Sequence, residues 1–328
     1  MKLLSIILSV CLLLCMLSGC NKKQNDNTTH TSNKKSSSYA DTEKVSKDNL
    51  TSDTTESGDE SGANGGTPPT STPTVSVPTA SSNGDKLVGT IYTRAQLEAL
   101  SNTKSGHGQG VSTDAANRSV NCINLQNKYG KYDAFFIMPN ENKIYLTFDL
   151  GYEYNNLTAD ILDTLKEKNI KAIFFVTKSY CKNKYNDNSH YIRRIIDEGH
   201  ILANHSVNHK SMPSLTIDQM YDEIMGLHKY IKENFNYEMH LFRPPMGEYS
   251  ERSLALAQSL GYKSVLWSYA YYDYATDDQP DEGESLNKLV KAAHPGALYL
   301  LHAVSQTNAN ILSDFIDAMK PEYSFEVL

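Results

Sequence analysis

The chain has 328 residues, enough for one large domain or two ordinary ones, and only 39% of them are hydrophobic, so part of it lies outside any core. It carries 31 Lys and Arg against 38 Asp and Glu, a formal net charge of −7, which argues against nucleic acid as a partner. The cysteines, Cys11, Cys15, Cys20, Cys122 and Cys181, form no CxxC pair, which argues against a cysteine zinc site and a thioredoxin-type motif.

The N-terminus reads as an address. Lys2 precedes an apolar run, residues 3–17, of signal-peptide length and short for a bilayer span. Leu17-Ser18-Gly19-Cys20 then sets small residues before a cysteine, with polar Asn21-Lys22-Lys23 directly after. This resembles the lipobox of bacterial lipoproteins, which implies lipidation at Cys20 and an exported protein on the outer face of the cytoplasmic membrane. Residues 21–88 are rich in Ser, Thr, Asn, Asp, Lys and Gly, have Tyr39 as their only aromatic, and end in a run with Pro68, Pro69, Pro73 and Pro78. That composition buries too little apolar surface to offset the entropy of ordering, and it predicts a disordered tether. Cys122 and Cys181 remain, as a disulfide that export would permit or as two free thiols.

From residue 89 the composition changes. Residues 89–140 read as an N-terminal extension packed on the following domain, with a short helix near 95–100, a glycine-rich loop around 106–110 and a lead-in at 131–138. Strand and helix signals then alternate over 141–328. Strand 144–148 is followed by amphipathic helix 157–168, strand 172–176, and helix 190–198 with Gly199 as its stop. Strand 201–203, long helix 217–234, strand 241–242, helix 250–259 with Gly261 as cap, and strand 264–266 continue the series. Segments 286–293, 297–301, 309–319 and 325–328 complete it. The alternation predicts an α/β fold of parallel strands under covering helices, and about seven units suit a distorted (β/α) barrel. A doubly wound dinucleotide fold is disfavoured, because no GxGxxG follows the first strand.

In such a barrel, functional side chains collect at the C-terminal ends of strands. Asp149 follows strand 144–148, His205 and His209 follow 201–203, Arg243 follows 241–242, Asp273 lies beyond strand 264–267, and His302 ends 297–301. His205 and His209 sit at i and i+4, which share a face if that turn is helical, and neutral imidazoles are common ligands of divalent zinc, cobalt or nickel. A lone HxxxH is a frequent accident; its place opposite Asp149 is what favours a metal. His200 and His294 have no such context and read as solvent-facing or loop histidines.

These segments carry a family resemblance. Thr147-Phe148-Asp149-Leu150-Gly151, His205-Ser206-Val207-Asn208-His209, Arg243-Pro244-Pro245-Met246-Gly247, the stretch 267–274 and Leu300-Leu301-His302 stand in the order of five motifs. Over residues 130–328 the chain thus resembles the polysaccharide deacetylases, the NodB-like enzymes of carbohydrate esterase family four. Gly151-Tyr152-Glu153 and the stretch 294–305 resemble one branch, the delta-lactam-biosynthetic de-N-acetylases that act on N-acetylmuramic acid in spore-cortex peptidoglycan. The resemblance implies a metal-dependent amide hydrolase. Asp149 would be the general base, His302 the general acid, and His205 and His209 the ligands of zinc, cobalt or manganese. Arg243 would keep Asp149 ionised, Asp273 would orient His302, and the Met246 backbone N–H would donate to the oxyanion. Trp267 and Leu300 either wall the acetyl pocket or pack in the core. The implied partners are peptidoglycan glycan strands and, through Cys20, the membrane; the sequence does not say whether an accessory lipoprotein is needed.

One position departs from the family. The aspartate that usually follows the catalytic one, and that supplies the third metal ligand, is Leu150 here. Two histidines make a weaker site than His–His–Asp, so an aspartate at 150 is expected to tighten metal binding. Glu153 could take the third position, touch substrate, or cap the next helix. Three functions follow: a muramic-acid deacetylase, a deacetylase of N-acetylglucosamine or another glycan, and a degenerate domain that grips glycan without cleaving it. Leu150 favours the last; Asp149, Arg243, Asp273 and His302 oppose it, because a binding module has no need of an acid–base pair.

Overall fold

Short apolar runs in the computed structural model, which describes residues 91–328, pair side by side as strands of one parallel sheet. The expected signal sequence, the expected lipidation site Cys20 and the expected tether at 21–88 lie outside the described residues. In chain order the strands are β1 Ser105–Gly106, β2 Ala134–Phe135, β3 Lys143–Leu150, β4 Ile173–Val176, β5 Ile201–Asn204 and β6 Leu241–Phe242. They continue with β7 Glu248–Tyr249, β8 Lys263–Val265, β9 Tyr269–Ala270, β10 Ala297–His302 and β11 Ser324–Phe325. The main sheet runs β2-β8-β6-β5-β4-β3-β10-β9, with β11 paired to the start of β3. Every pairing in it is parallel.

The sheet curls. Leaving β8, the chain bonds β2 through Leu266 N–H to Phe135 C=O (2.8 Å), and two residues later bonds β10 through Ser268 N–H to Leu298 C=O (2.9 Å). The segment 266–268 therefore spans the seam between the two ends of the sheet, and the result is the distorted (β/α) barrel that the alternation predicts. Alternation along each strand sorts the side chains. Tyr145, Phe175, Ala203, Leu241, Val265 and Leu298 fill the concave interior. Leu146, Phe148, Leu150, Phe174 and Leu202 face the helices, with Ile161, Leu165 and Ile192 among their partners.

Several boundaries differ from the sequence reading. Strand β3 runs two residues past 148, so Asp149 and Leu150 are strand residues rather than the start of a loop. Helix Val120–Tyr129 was not foreseen: it buries only Cys122 and Tyr129, and it starts because the Ser119 side chain accepts the Cys122 N–H. Helix Gln306–Met319 begins earlier than 309, where the Ser305 side chain accepts the Asn308 N–H. Cys122 and Cys181 are separate buried thiols. His200 and His294 are buried, 4% and 2% exposed, not solvent-facing. His200 Nδ1 accepts the Ala172 N–H, and His294 lies between Ser268 Oγ (2.9 Å) and the Ala292 carbonyl (2.7 Å), so both brace the backbone.

The stretch before the barrel is bound to it at several places. Helix Arg94–Ala99 buries Leu97, and Arg252, on helix Glu251–Ser259, donates to the Leu97, Glu98 and Leu100 carbonyls (3.0, 2.8 and 3.1 Å). Further on, β1 pairs antiparallel with β7.

Candidate active site

Asp149 and Arg243 form the floor of the site. Thr147 and Asp149 lie on the concave side of β3, and Arg243 enters from the end of β6 with no exposed surface. Arg243 Nη1 donates to Asp149 Oδ1 at 2.6 Å, Nη2 to Thr147 Oγ1 at 2.7 Å, and Nε to the Val265 carbonyl at 3.0 Å. With all three nitrogens bonded, the guanidinium is a fixed charge in a low-dielectric setting. Burial alone would raise the Asp149 pKa, but the charges of Arg243, His205 and His302 outweigh it and hold the carboxyl below its usual range. Thr147, which the sequence reading passed over, is tied in turn to the Tyr299 carbonyl. Strand alternation with Asp149 was the available signal.

The histidine pair is not helical. Residues 205–209 form a bend in which Ser206 and His209 take left-handed backbone angles (φ 71° and 55°). Glu223, on helix Ile217–Phe235, holds the bend by accepting from the Asn208 N–H (2.7 Å) and side-chain amide (2.8 Å). The two imidazoles converge nonetheless, with Nε2 to Nε2 at 3.1 Å. His205 Nδ1 lies 2.9 Å from the Arg243 carbonyl, which can only accept, so Nδ1 carries the proton and Nε2 presents a lone pair. Burial brings the His205 pKa down to about 4 and also lowers that of His209, keeping both rings neutral at pH 7. Asp149 Oδ2 is 3.4 Å from His205 Nε2.

That donor set fits a divalent metal ion. Two ligands about 2.0–2.1 Å from a tetrahedral ion stand roughly 3.3 Å apart, close to the observed imidazole spacing. Among the described residues, no group of three or more His, Cys, Asp or Glu side chains forms a complete site. Leu150, at the position where the family resemblance implies a third ligand, does not face the site. It is fully buried on the helix-facing side of β3, opposite to Asp149, so a carboxylate there would enter the apolar core rather than the site. Glu153 does not compensate. It accepts from the Thr158 hydroxyl and the Tyr180 hydroxyl, and Thr158 is the second residue of helix Leu157–Glu167. Of the roles open to it in the sequence, these contacts match the helix-end one.

His302 closes the site from the end of β10. Its Nδ1 is 2.7 Å from Asp273 Oδ1, its backbone N–H donates to Asp273 Oδ2 at 2.9 Å, and Asn308 Nδ2 donates to the same oxygen at 2.7 Å. Burial would lower the His302 pKa, but the bond to Asp273 and the charges of Asp273 and Asp149 overcome it and leave it raised. Asn308 was missed because only the register of helix Gln306–Met319 brings it there.

Asp149, His205, His209 and His302 line one cavity of about 710 Å³ with Met246, Trp267 and Leu300, and Arg243 and Asp273 stand behind its wall, bonded to Asp149 and His302. The turn Pro245–Gly247 puts both Met246 and Gly247 in the left-handed region (φ 59° and 64°). Only glycine fits at 247, since a Cβ would come within 2.6 Å of the Trp267 ring. The Met246 N–H meets no acceptor among the described residues, so it is available to a bound oxygen. His107, just after β1, holds this wall from behind. Its N–H donates to the Gly247 carbonyl (2.9 Å), its ring Nε2 is 2.6 Å from the Trp267 carbonyl, and its ring meets the indole edge-on at 4.7 Å. Nothing in the sequence near residue 107 announces this, because the contact spans 160 positions.

Comparison with known proteins agrees with this geometry. A family profile described as polysaccharide deacetylase matches residues 137–265. The peptidoglycan-N-acetylmuramic acid deacetylase PdaA of Bacillus subtilis is 41% identical over 199 residues, which span 60% of this chain and 74% of that protein. The chain belongs to the polysaccharide deacetylase family. The solved structure of B. subtilis PdaA, a family 4 carbohydrate esterase, superposes with a TM-score of 0.64 at 36% identity, covering 69% of this chain and 96% of that one. A family 4 carbohydrate esterase from Bacillus anthracis gives 0.55 at 33% identity, covering 70% and 95%. The family motifs read in the sequence are thus the strand ends that meet in the cavity.

Proposed function

We propose that this protein removes the acetyl group from N-acetylmuramic acid residues of peptidoglycan in a metal-dependent reaction. The observation that carries the proposal is that a buried Asp149–Arg243 pair and an Asp273–His302 pair face one cavity from neighbouring strands. The likeness to PdaA supports the choice of sugar.

Amide hydrolysis needs an activated water, a polarised carbonyl and a proton for the leaving amine. Asp149, kept ionised by Arg243, takes the proton of the attacking water. The Met246 N–H donates to the carbonyl oxygen as it gains charge, and Trp267 and Leu300 bound the space for the acetyl methyl. His302, charged and oriented by Asp273, passes its Nε2 proton to the sugar nitrogen as the C–N bond breaks. A zinc, cobalt or manganese ion held by His205 and His209 would supply Lewis acidity toward the water and the carbonyl. The same proposal places the protein outside the cytoplasmic membrane, anchored by lipid at Cys20, acting on cortex glycan toward muramic delta-lactam. An accessory lipoprotein is left open.

One observation favours a second substrate, N-acetylglucosamine. Among the described residues no Lys or Arg lines the cavity, so a free lactyl carboxylate would find no cationic side chain in that lining. Assaying acetate release from stem-free and stem-bearing glycan strands, then identifying the deacetylated amino sugar, tests the choice. Muramic acid supports the proposal, glucosamine the second reading, and no release with any of the three metals a glycan-binding domain.

The reaction's alkaline limb belongs to His302. The raised pKa means that the acid form, and with it activity, is lost as pH rises through a value above 6.5. By linkage, the pair with Asp273 adds stability that is full below the unfolded pKa and is lost through the same window. Asp273→Asn keeps an acceptor but removes the charge, so the alkaline limb of kcat/KM should move down by roughly one pH unit. An unmoved limb would separate His302 from the acid role.

A further inference from the structure

Seven large hydrophobic side chains are exposed among the described residues, and four of them gather at this cavity. Tyr152, Met246 and Tyr274 line it, at 50%, 54% and 56% exposure, and Tyr272 packs on Tyr274 with ring centres 4.8 Å apart. These tyrosines do little for the fold. The buried ones spend their hydroxyls on it, Tyr262 against His228 and Tyr299 on the Leu289 carbonyl, whereas the hydroxyls of Tyr152 and Tyr274 bond no described residue. Exposed aromatic rings clustered at a pocket mouth mark a surface kept for a ligand.

Their placement follows the sheet. Tyr152 comes two residues after β3 and Tyr274 four residues after β9, and both strands are neighbours of β10, whose last residue is His302. The two rings therefore rise on either side of the strand that delivers the acid, and Tyr274 meets the His302 ring edge-on at 5.7 Å. The planes of Tyr272 and Tyr274 stand 67° apart, forming a corner rather than a flat wall. A pyranose presents an apolar face of C–H groups, slightly positive, which suits the negative face of an aromatic ring.

We propose that Tyr152 and the Tyr272–Tyr274 corner stack the sugars on either side of the one being deacetylated, and so set how affinity rises with glycan length. This rests on reading the cavity as a glycan deacetylase site. It is tested by measuring KM and kcat on stem-free peptidoglycan glycans of two and six sugars. For the wild type, KM falls with length. Tyr152→Ala and Tyr274→Ala should each raise KM for the hexasaccharide about tenfold, with kcat nearly unchanged and a smaller effect on the disaccharide; Tyr→Phe at either position keeps the wild-type KM. Unchanged KM in both Ala variants, or an equal loss on both lengths, overturns the platform. If the wild type deacetylates neither glycan, the reading of the site fails, and the platform is judged by equilibrium binding of the hexasaccharide. Weaker binding in the Ala variants sustains it, and equal binding removes it.

Discussion

Asp149→Asn should lower deacetylation by roughly 10²–10⁴-fold, the range expected when a general base is removed. Asparagine keeps the shape of the side chain, and its oxygen can still accept from Arg243 Nη1. It cannot accept a proton near neutral pH. The variant should also melt earlier, because Arg243 has no exposed surface and would be left with its charge uncompensated, a change worth about 3–5 kcal/mol in comparable buried pairs. Turnover is therefore measured as acetate release well below the melting midpoint, with metal content determined on the same sample. Loss of turnover with metal retained assigns the base; near wild-type turnover in the folded variant removes Asp149 from that role.

His205→Ala and His209→Ala should each abolish metal uptake and, with it, activity. With no third carboxylate to share the load, one remaining imidazole gives no chelation, and affinity should drop by well over the ~10–100-fold that supporting partners alone command. Calorimetry with zinc, cobalt and manganese checks this, and unchanged uptake in either variant would dismiss the pair as ligands. Leu150→Asp is the informative companion. From the sequence, a carboxylate beside Asp149 is expected to complete the site. Leu150, however, lies in the helix-side core with no exposed surface. The variant should lose about 3–5 kcal/mol of stability for a buried unpaired charge and bind metal no more tightly than wild type.

What the sequence made legible was whatever depends on local pattern. The alternation of strands and helices carries the barrel, and the ordered motifs carry Asp149, His205, His209 and His302 into one cavity, with Arg243 and Asp273 paired behind Asp149 and His302. The misses have physical causes. Leu150 and Glu153 stand close to Asp149 in the chain, but pleat sends Leu150 to the opposite face and Glu153 bonds the start of the next helix. Thr147, Asn308 and His107 contribute through contacts across the fold, which no short window contains. His200 and His294 stand in loops, one of the readings the sequence left open, but are buried, because an imidazole that bonds a backbone group is at home in a core and a single sequence does not reveal that partner.

The anchoring of helix Arg94–Ala99 has a mechanical consequence. Tension on the chain ahead of residue 91 meets this helix before it meets β1, whose two-residue ladder leads to the turn carrying Met246. Leu97 in its socket and three carbonyls gripped by one guanidinium form a peg loaded in shear. Because Arg252 belongs to a helix packed on the barrel, the load passes into the rigid body and bypasses the cavity wall at Met246 and Trp267. Under such tension the catalytic end would be strain-relieved, as a cable is clamped before its terminals.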